Sequence, residues 1–151
     1  MKINFRKFTE NDRDLFFSMV KKFYAPPAVL HFPSDEVMLS SFDAALDIPE
    51  LVKGYIFECD GKAAGYAVVS MKFETEVGGM AAWIEELFVE EEFRSKGVGS
   101  AFFEQLKSEL SGKIKRIRLE VGDENDGAKQ LYKRLGFEML DYRQMVIDKD
   151  F

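Results

Sequence analysis

The sequence predicts an α/β (α+β) fold, a central mixed sheet with helices on both faces, formed by a single domain that covers residues 1–151. Three observations support this prediction. Segments with alternating apolar residues, typical of strands, are interspersed with segments whose apolar residues recur at helical spacing. The 151-residue chain contains no internal repeat and no Gly/Ser-rich linker that would divide it. Hydrophobic residues make up 46% of the chain and aromatic residues 14%, which is enough for a sizeable buried core.

The N-terminal part contains one strand signal and two helix signals. Apolar and polar residues alternate over residues 3–7, as in a short strand. Thr9 can cap an amphipathic helix, which Pro26-Pro27 ends. The segment Ser34-Asp35-Glu36 is typical of a helix start, so a second helix is predicted to run toward Asp47.

The middle of the chain predicts three strands joined by tight turns. Residues 55–58 and 64–71 have strand character and flank Asp60-Gly61, a strong signal for a hairpin turn. Gly78-Gly79 marks the next turn, and residues 82–89 form the third strand. These three segments are therefore expected to lie side by side in the sheet.

The C-terminal part alternates between helix and strand signals. A helix is predicted over residues 97–110, a strand over 114–121 and a second helix over 128–135. Residues 137–140 and 142–147 predict one or two final strands. A helix that connects two strands of one sheet favours parallel pairing, so the sheet is expected to be mixed.

Charge and composition exclude several classes of protein. The 21 basic and 27 acidic residues give a net charge of −6, and an acidic surface repels nucleic acids and anionic membranes. The single Cys59 and the single His31 cannot form an internal disulfide or a structural zinc site, and no metal is expected. No apolar stretch resembles a signal sequence or a membrane span, so a cytoplasmic protein is predicted.

The turn between the third strand and the next helix is a candidate anion site. The first amides of a helix have no partner within it, and Gly97 and Gly99 have no side chain to obstruct a ligand. Arg94 and Lys96 add positive charge. A surface loop that caps the helix would also explain the Gly-x-Gly pattern, but Arg94, the preceding strand and the following helix together favour an anion site.

Two other phosphate-binding loops fit less well. A Walker A loop needs Gly-Lys followed by Ser or Thr, whereas Lys96 precedes Gly97 here. A dinucleotide fingerprint needs a small residue where Phe102 stands, although Glu120 lies about where its ribose-binding acid is expected. The dinucleotide interpretation therefore stays as a minor alternative.

Two motifs resemble the GNAT superfamily of N-acetyltransferases. Arg94-Ser95-Lys96-Gly97-Val98-Gly99 matches its Arg/Gln-x-x-Gly-x-Gly/Ala motif, with Ser95 where many members have Gly. The segment from Asn125 to Phe137 is similar to its Asn-x-x-Ala-x-x-Leu/Phe-Tyr-x-x-x-Gly-Phe signature. Glu85-Glu86-Leu87-Phe88-Val89, with Leu131-Tyr132-Lys133-Arg134, resembles the branch of spermidine/spermine and other small-amine acetyltransferases.

The resemblance implies a GNAT-like fold whose strands splay apart at a site for acetyl-CoA, the co-substrate. It also implies that the pantetheine arm lies along the strand edge, that the diphosphate meets the amides of the turn, and that further contacts come from the second motif. The residues implied in cofactor binding are Leu87, Phe88, Val89, Arg94, Ser95, Lys96, Gly97, Val98, Gly99, Ser100, Asn125 and Lys133.

Three side chains are candidates for proton transfer. By the resemblance, Glu85 or Glu86 deprotonates the attacking amine, directly or through water, and Tyr132 protonates the departing CoA sulfur. Neighbouring residues on a strand point to opposite faces, so at most one of the two glutamates is expected to face the ligand. The alternatives are that both glutamates are solvated charges at a sheet edge and that Tyr132 packs in the core.

The implied function is acetyl transfer to a primary amine by direct attack in a ternary complex. The acceptor is predicted to be a small molecule, and Glu85, Glu86 and the run Glu90-Glu91-Glu92 favour a polyamine or another amino compound. Tyr24 and His31 would flank the acceptor side. Two alternatives stay open: a noncatalytic acyl-CoA-binding or sensing domain, and an acetyltransferase of protein N-termini or lysines. Members of the superfamily often form dimers, which implies a homodimer.

Overall fold

A computed structural model describes residues 1–25 and 32–148. The chain forms two compact units, Met1–Glu120 and Val121–Phe151. The predicted helix stop at Pro26-Pro27 and the predicted acceptor-side residue His31 lie outside the described residues. None of the described helices combines the length and apolar character needed to cross a membrane.

The first unit contains a five-stranded sheet in the order β1-β2-β3-β4-β5. The first four strands pair in antiparallel fashion, and β5 runs parallel to β4. This confirms the mixed sheet and the parallel crossover predicted from the sequence. The strands are Ile3–Lys7 (β1), Val52–Cys59 (β2), Lys62–Glu74 (β3), Gly79–Val89 (β4) and Arg116–Leu119 (β5).

Three helices belong to the first unit and one to the second. They are Arg13–Phe23 (α1), Asp35–Asp47 (α2) and Val98–Glu109 (α3) in the first unit, and Asp126–Arg134 (α4) in the second. Thr9 precedes a 3-10 turn over Glu10–Asp12 that leads into α1. Ser34 caps α2, since its hydroxyl accepts a hydrogen bond from the Val37 amide at 3.3 Å.

The sheet has a separate hydrophobic layer on each face. On one face, α1 and α2 cover residues of the three central strands, and Tyr66 and Phe88 contribute aromatic rings to that layer. On the other face, the Phe102 ring of α3 lies 4.8 Å from the Phe57 ring and 5.2 Å from the Tyr55 ring, measured between centroids. The predicted arrangement of helices on both faces is therefore confirmed.

The β1–α1 connection is fixed by one carboxylate. Asp12 accepts hydrogen bonds from two guanidinium nitrogens of Arg6, at 2.7 and 2.8 Å, and from the Thr9 amide at 2.8 Å. The hydrogen bonds from Arg6 hold the pKa of Asp12 below its ordinary value despite its burial. This ion pair therefore stabilises the fold while Asp12 is ionised.

The second unit contains α4 and an extended segment after it. The Asn125 side chain caps α4 by accepting a hydrogen bond from the Ala128 amide at 3.2 Å. Through Asp148, the described residues after α4 form neither helix nor strand, so the predicted strands over 137–140 and 142–147 are wrong. From Met139 to Ile147 the large apolar side chains are exposed, with Met145 at 97%, and alternation of apolar residues alone does not make a strand.

Candidate active site

Pairing between the two parallel strands of the sheet ends partway along β4. Pairing with β5 begins at Ala81–Arg116 and ends at Ile84–Leu119. β4 continues to Val89, and on its other side it stays paired with β3 over this length. Among the described strands, none pairs with the outer edge of β4 beyond Ile84. β5 ends at Leu119, so the outer edge of β4 from Leu87 to Val89 has no partner among the described strands, and this is where the splay is predicted to begin.

A β-bulge shifts the register of β4 at Glu85. Ile84 lies opposite Val69, and the next paired residue, Glu86, lies opposite Val68, so Glu85 is an extra residue in the ladder. The Glu85 carboxylate accepts a hydrogen bond from the Ser70 hydroxyl. Ser70 lies two residues beyond Val68 on β3 and therefore on the same face as Val68, the face covered by α1 and α2.

The bulge brings the two glutamates to one face of the sheet. The side chain of Glu86, which is opposite Val68, also lies on the α1/α2 face, where it contacts Tyr66. The prediction that Glu85 and Glu86 point to opposite faces is wrong, because it assumed a regular strand and the bulge interrupts the two-residue alternation. Both carboxylates therefore lie on the α1/α2 face.

Glu86 is a buried carboxylate with an aromatic hydrogen-bond donor at each oxygen. Its residue is 7% exposed. The Tyr24 hydroxyl donates to Oε1 at 2.8 Å, and the Tyr66 hydroxyl donates to Oε2 at 2.9 Å. Burial raises the pKa of Glu86, the two phenol hydrogen bonds oppose that rise, and the negative charge of Glu85 adds to it. The two hydrogen bonds thus hold the carboxylate in one orientation, and its raised pKa means that it binds a proton more readily than an ordinary glutamate.

The partners of Glu86 differ in how far the sequence reveals them. Tyr24 follows the last residue of α1 and was predicted to lie on the acceptor side. Tyr66 has no sequence signal for this role, because its contact with Glu86 depends on the register between β3 and β4. Burial and the neighbouring Glu86 charge raise the pKa of both tyrosines, so both remain protonated donors at neutral pH.

The turn after β4 has the backbone shape of an anion site. Ser95 and Gly97 have φ values of 58° and 83°, in the left-handed region, and such residues turn successive amides toward one point. The first hydrogen bond inside α3 runs from the Ala101 amide to the Gly97 carbonyl, at 2.9 Å. The amides of Val98, Gly99 and Ser100 therefore have no acceptor within the helix.

Arg94 holds this turn against the end of β4. Its Nε donates to the Val89 carbonyl at 2.8 Å, and its guanidinium carbon lies 5.9 Å from the centroid of the Phe88 ring. Sequence reasoning treated Arg94 as a source of positive charge, and the structure adds this positioning contact. Lys96 lies nearby, with its Nζ 5.9 Å from the centroid of the Phe93 ring.

The remaining predicted site residues lie in the second unit. Asn125 is the α4 cap, and Lys133 is exposed in the last turn of that helix. Tyr132 is partly buried, with its ring centroid 5.6 Å from that of Phe137, and burial raises its pKa. The roles predicted for Asn125, Tyr132 and Lys133 stay predictions.

Two further features of the described residues concern possible metal ligands and the single thiol. Within residues 1–25 and 32–148, no three His, Cys, Asp or Glu side chains are grouped to hold a metal ion. Cys59 is buried, and burial raises the pKa of its thiol, so it is a poor nucleophile.

Comparison with known proteins defines the class to which this fold and site belong. The family model for the acetyltransferase (GNAT) family matches residues 17–137. The chain belongs to this family. The two sequence motifs and the outer edge of β4 beyond Ile84 both lie within the matched region.

Individual relatives are more distant. The chain is 35% identical to an uncharacterized N-acetyltransferase of Methanocaldococcus jannaschii over 86 residues, which cover 56% of this chain and 38% of that protein. It is 28% identical to a spermine/spermidine N(1)-acetyltransferase of Bacillus subtilis over 83 residues, 52% of this chain and 55% of that protein. The matches thus span about half or less of these curated relatives.

A solved structure shows the same fold over the whole chain. The crystal structure described as a possible acetyltransferase from Clostridium difficile 630 has a TM-score of 0.83, with 20% sequence identity and 100% of both chains covered. At this identity the likeness concerns the fold alone.

Proposed function

We propose that this protein is an acetyl-CoA-dependent N-acetyltransferase that acetylates a primary amine of a small molecule, either a polyamine or another amino compound. The observation that carries the proposal is the outer edge of β4 beyond Ile84, which no described strand covers, next to the amide-lined turn at Ser95–Gly97. Family membership supports the same reaction, since the matched region contains both features. We also propose a homodimer, as the family resemblance implies, and a cytoplasmic location, as predicted from the sequence.

The edge of β4 and the turn after it offer backbone groups that suit the polarity of acetyl-CoA. The free amides of Val98, Gly99 and Ser100 suit a diphosphate, and the left-handed turn before them directs amides the same way. The edge of β4 at Leu87–Val89 can pair with the amides of the pantetheine arm as an added strand would. When bound, acetyl-CoA supplies the acetyl group as an activated thioester.

Groups of the protein would then stabilise the charge that develops on the acetyl oxygen and accept the proton of the amine. A backbone amide of β4 near Phe88 can donate to the oxygen that gains charge during acyl transfer. The incoming amine is mostly protonated at neutral pH, because alkyl ammonium groups have a pKa near ~10.4. Glu85 or Glu86 can accept that proton, directly or through a water molecule. Burial moves the pKa of Glu86 upward, toward the range where a general base works best.

The proposed proton donor to the leaving thiolate is Tyr132. Its phenol stays protonated at neutral pH because burial raises its pKa. We propose that Asn125 and Lys133 contribute polar and charged contacts to the cofactor, as the family motif implies. Lys96 and Arg94 would add positive charge near the diphosphate.

The first experiment compares Tyr132→Phe with wild type. Calorimetry would measure acetyl-CoA affinity, and a thiol-reactive dye would follow CoA release over a panel of amines. We expect slower turnover with little change in affinity. Tyr142→Phe, at a tyrosine that is 64% exposed in the same unit, is the matched control and should leave turnover unchanged. Undiminished turnover of Tyr132→Phe would remove this residue from the mechanism.

The same assays distinguish the alternatives. Absence of acetyl-CoA binding would overturn the proposal entirely. Binding without turnover across a broad amine panel would favour a sensing domain, and acetylation of peptides but not of small amines would favour a protein acetyltransferase. Parallel measurements on Glu85→Gln and Glu86→Gln would show which carboxylate takes the proton, because only loss of the base removes the acidic limb of the pH–rate profile.

A further inference from the structure

The α1/α2 face of the sheet continues from Glu85 toward the end of β3 and the start of β4 and β5. The ladders place Ser70, Trp83 and Arg118 in one row across the three strands. Ser70 is the residue that donates to Glu85, so this row begins beside the bulged carboxylate. Lys72 lies two residues beyond Ser70 on β3 and hence on the same face.

Two cations, Arg118 of this row and Lys72 of the next, lie close to the indole of Trp83. The guanidinium carbon of Arg118 lies 4.4 Å from the ring centroid, and Nζ of Lys72 lies 5.1 Å from it. Such contacts hold a cation in place without neutralising its charge. Arg118 also forms an ion pair with Glu74 at 3.4 Å, so the excess of positive charge on this face comes from Lys72, Arg116 and Arg118 together, against the carboxylates of Glu74 and Glu76.

Arg118 and Lys72 keep N–H donors with which they could bind a ligand. The buried carboxylate of Glu74 is already bound by the Arg116 guanidinium at 2.7 Å and by the Trp83 indole N–H at 2.8 Å. Arg118 reaches Glu74 only at 3.4 Å and uses one of its five N–H donors there. Across the described part of the chain, Lys72 has no carboxylate within ion-pair distance, and its side chain is exposed.

The pattern of charge bears on the acceptor. Glu85 attracts an ammonium group, whereas Arg118 and Lys72 repel a second ammonium and attract an anion. Trp83 precedes Glu85 by two residues on β4, so the two subsites are on the order of 6 Å apart at ~3.3 Å per residue. A guanidinium presents a planar pair of donors that matches a carboxylate.

Building on the proposed function, we infer that the acceptor is an amino carboxylate: its primary amine lies at Glu85 and its carboxylate is bound by Arg118 and Lys72 beside Trp83. This selects among the proposed acceptors, because a polyamine would place a second positive charge against these two residues. The subsite is built from three strands of one unit and needs no rearrangement of the sheet.

Trp83 is the single tryptophan of the chain, so its fluorescence reports on this subsite directly. The probes are 4-aminobutanoate, butylamine and 1,4-diaminobutane, which differ at one end of the same carbon chain. We expect 4-aminobutanoate to change the fluorescence at about 10-fold lower concentration than the other two, as for a charge-assisted contact. Equal or tighter binding of the diamine would overturn the inference.

Arg118→Met and Lys72→Met test the two cations and keep a long apolar side chain beside the indole. Each should remove most of the preference for 4-aminobutanoate over butylamine, while Lys62→Met, at an exposed lysine at the other end of β3, should keep it. The ratio of two ligands on one preparation does not depend on the folded fraction. A preference that persists in both variants would refute the role of these residues.

This binding assay is independent of turnover. If the preference is present but no amine supports CoA release, the proposed reaction fails and the subsite stands. If CoA is released with diamines and the fluorescence shows no preference for the amino carboxylate, the proposed reaction stands and the subsite fails.

Discussion

Replacing Tyr66 by Phe tests how the buried carboxylate of Glu86 is held. The substitution removes one hydroxyl from a fully buried ring and leaves the ring packing in place. Glu86 keeps the hydrogen bond from Tyr24 at Oε1 and loses the one at Oε2, where burial prevents water from replacing it. The remaining carboxylate is therefore harder to ionise, and the pKa of Glu86 should rise further.

The size of the effect depends on pH. A hydrogen bond to a charged group contributes about 1.5–3 kcal/mol, and one between neutral groups about 0.5–1.5 kcal/mol. We expect Tyr66→Phe to lower the free energy of unfolding by about 2 kcal/mol at pH ~8 and by about 1 kcal/mol at pH ~4, near the ordinary pKa of a glutamate. The sign follows because a raised pKa in the folded state reduces stability as pH increases.

Urea unfolding of both proteins at the two pH values measures this difference. Tyr55→Phe is the matched control: it removes another buried hydroxyl, which donates at 3.1 Å to Glu109, a carboxylate that Lys7 also binds at 2.6 Å. Its effect should be smaller and should vary less with pH. A loss in Tyr66→Phe that is the same at both pH values would refute the argument, since it would mean that the charge of Glu86 does not matter to this bond.

Three further substitutions test the backbone and one ion pair. Gly65→Ala should lower the free energy of unfolding by ~3 kcal/mol, because an added Cβ would lie 2.1 Å from the Phe88 carbonyl oxygen. Chemical denaturation measures this loss, and a loss below about 1 kcal/mol would contradict the close approach. Gly97→Ala should cost only about 1 kcal/mol, because φ is +83° but no atom lies within 4 Å of an added Cβ; a much larger loss would indicate a hidden clash. Asp12→Asn should lower the free energy of unfolding by about 2 kcal/mol at neutral pH. This is less than the loss expected for a fully buried ion pair, because the Arg6 side chain is 35% exposed. Since the pKa of Asp12 is lowered, this loss should shrink as pH falls below ~4, and thermal melts that show no such trend would contradict the ion-pair interpretation.

Local chemistry determined much of the fold in advance. Asp60 and Gly61 have φ values of 49° and 79°, and Cys59 pairs with Lys62, so this two-residue turn forms the predicted hairpin. The start of α3 after the glycine turn also follows from the sequence, because residues that tolerate left-handed backbone occur where the helix must begin. In each case the signal and the structure lie within a few residues of each other.

The tertiary structure alone decided where the two glutamates point. The bulge at Glu85 depends on which residues of β3 and β4 pair, and that pairing reflects contacts summed along the whole ladder. Tyr24 and Tyr66 are 62 and 20 positions away from Glu86 in the chain, so no local pattern marks them as its partners. The two cations beside Trp83 also depend on tertiary structure, since Lys72 and Arg118 come from different strands.

The segment after α4 shows the reverse limit. Alternation over residues 142–147 is a local property that the sequence carries, whereas a strand also needs backbone hydrogen bonds in a ladder, and the structure assigns no strand to these described residues. The sequence by itself therefore determined periodicity, turns and the glycine-lined helix start, which adjacent residues encode. Register, the bulge and the partners of Glu86 were decided by tertiary structure, because they arise from contacts between residues far apart in the chain.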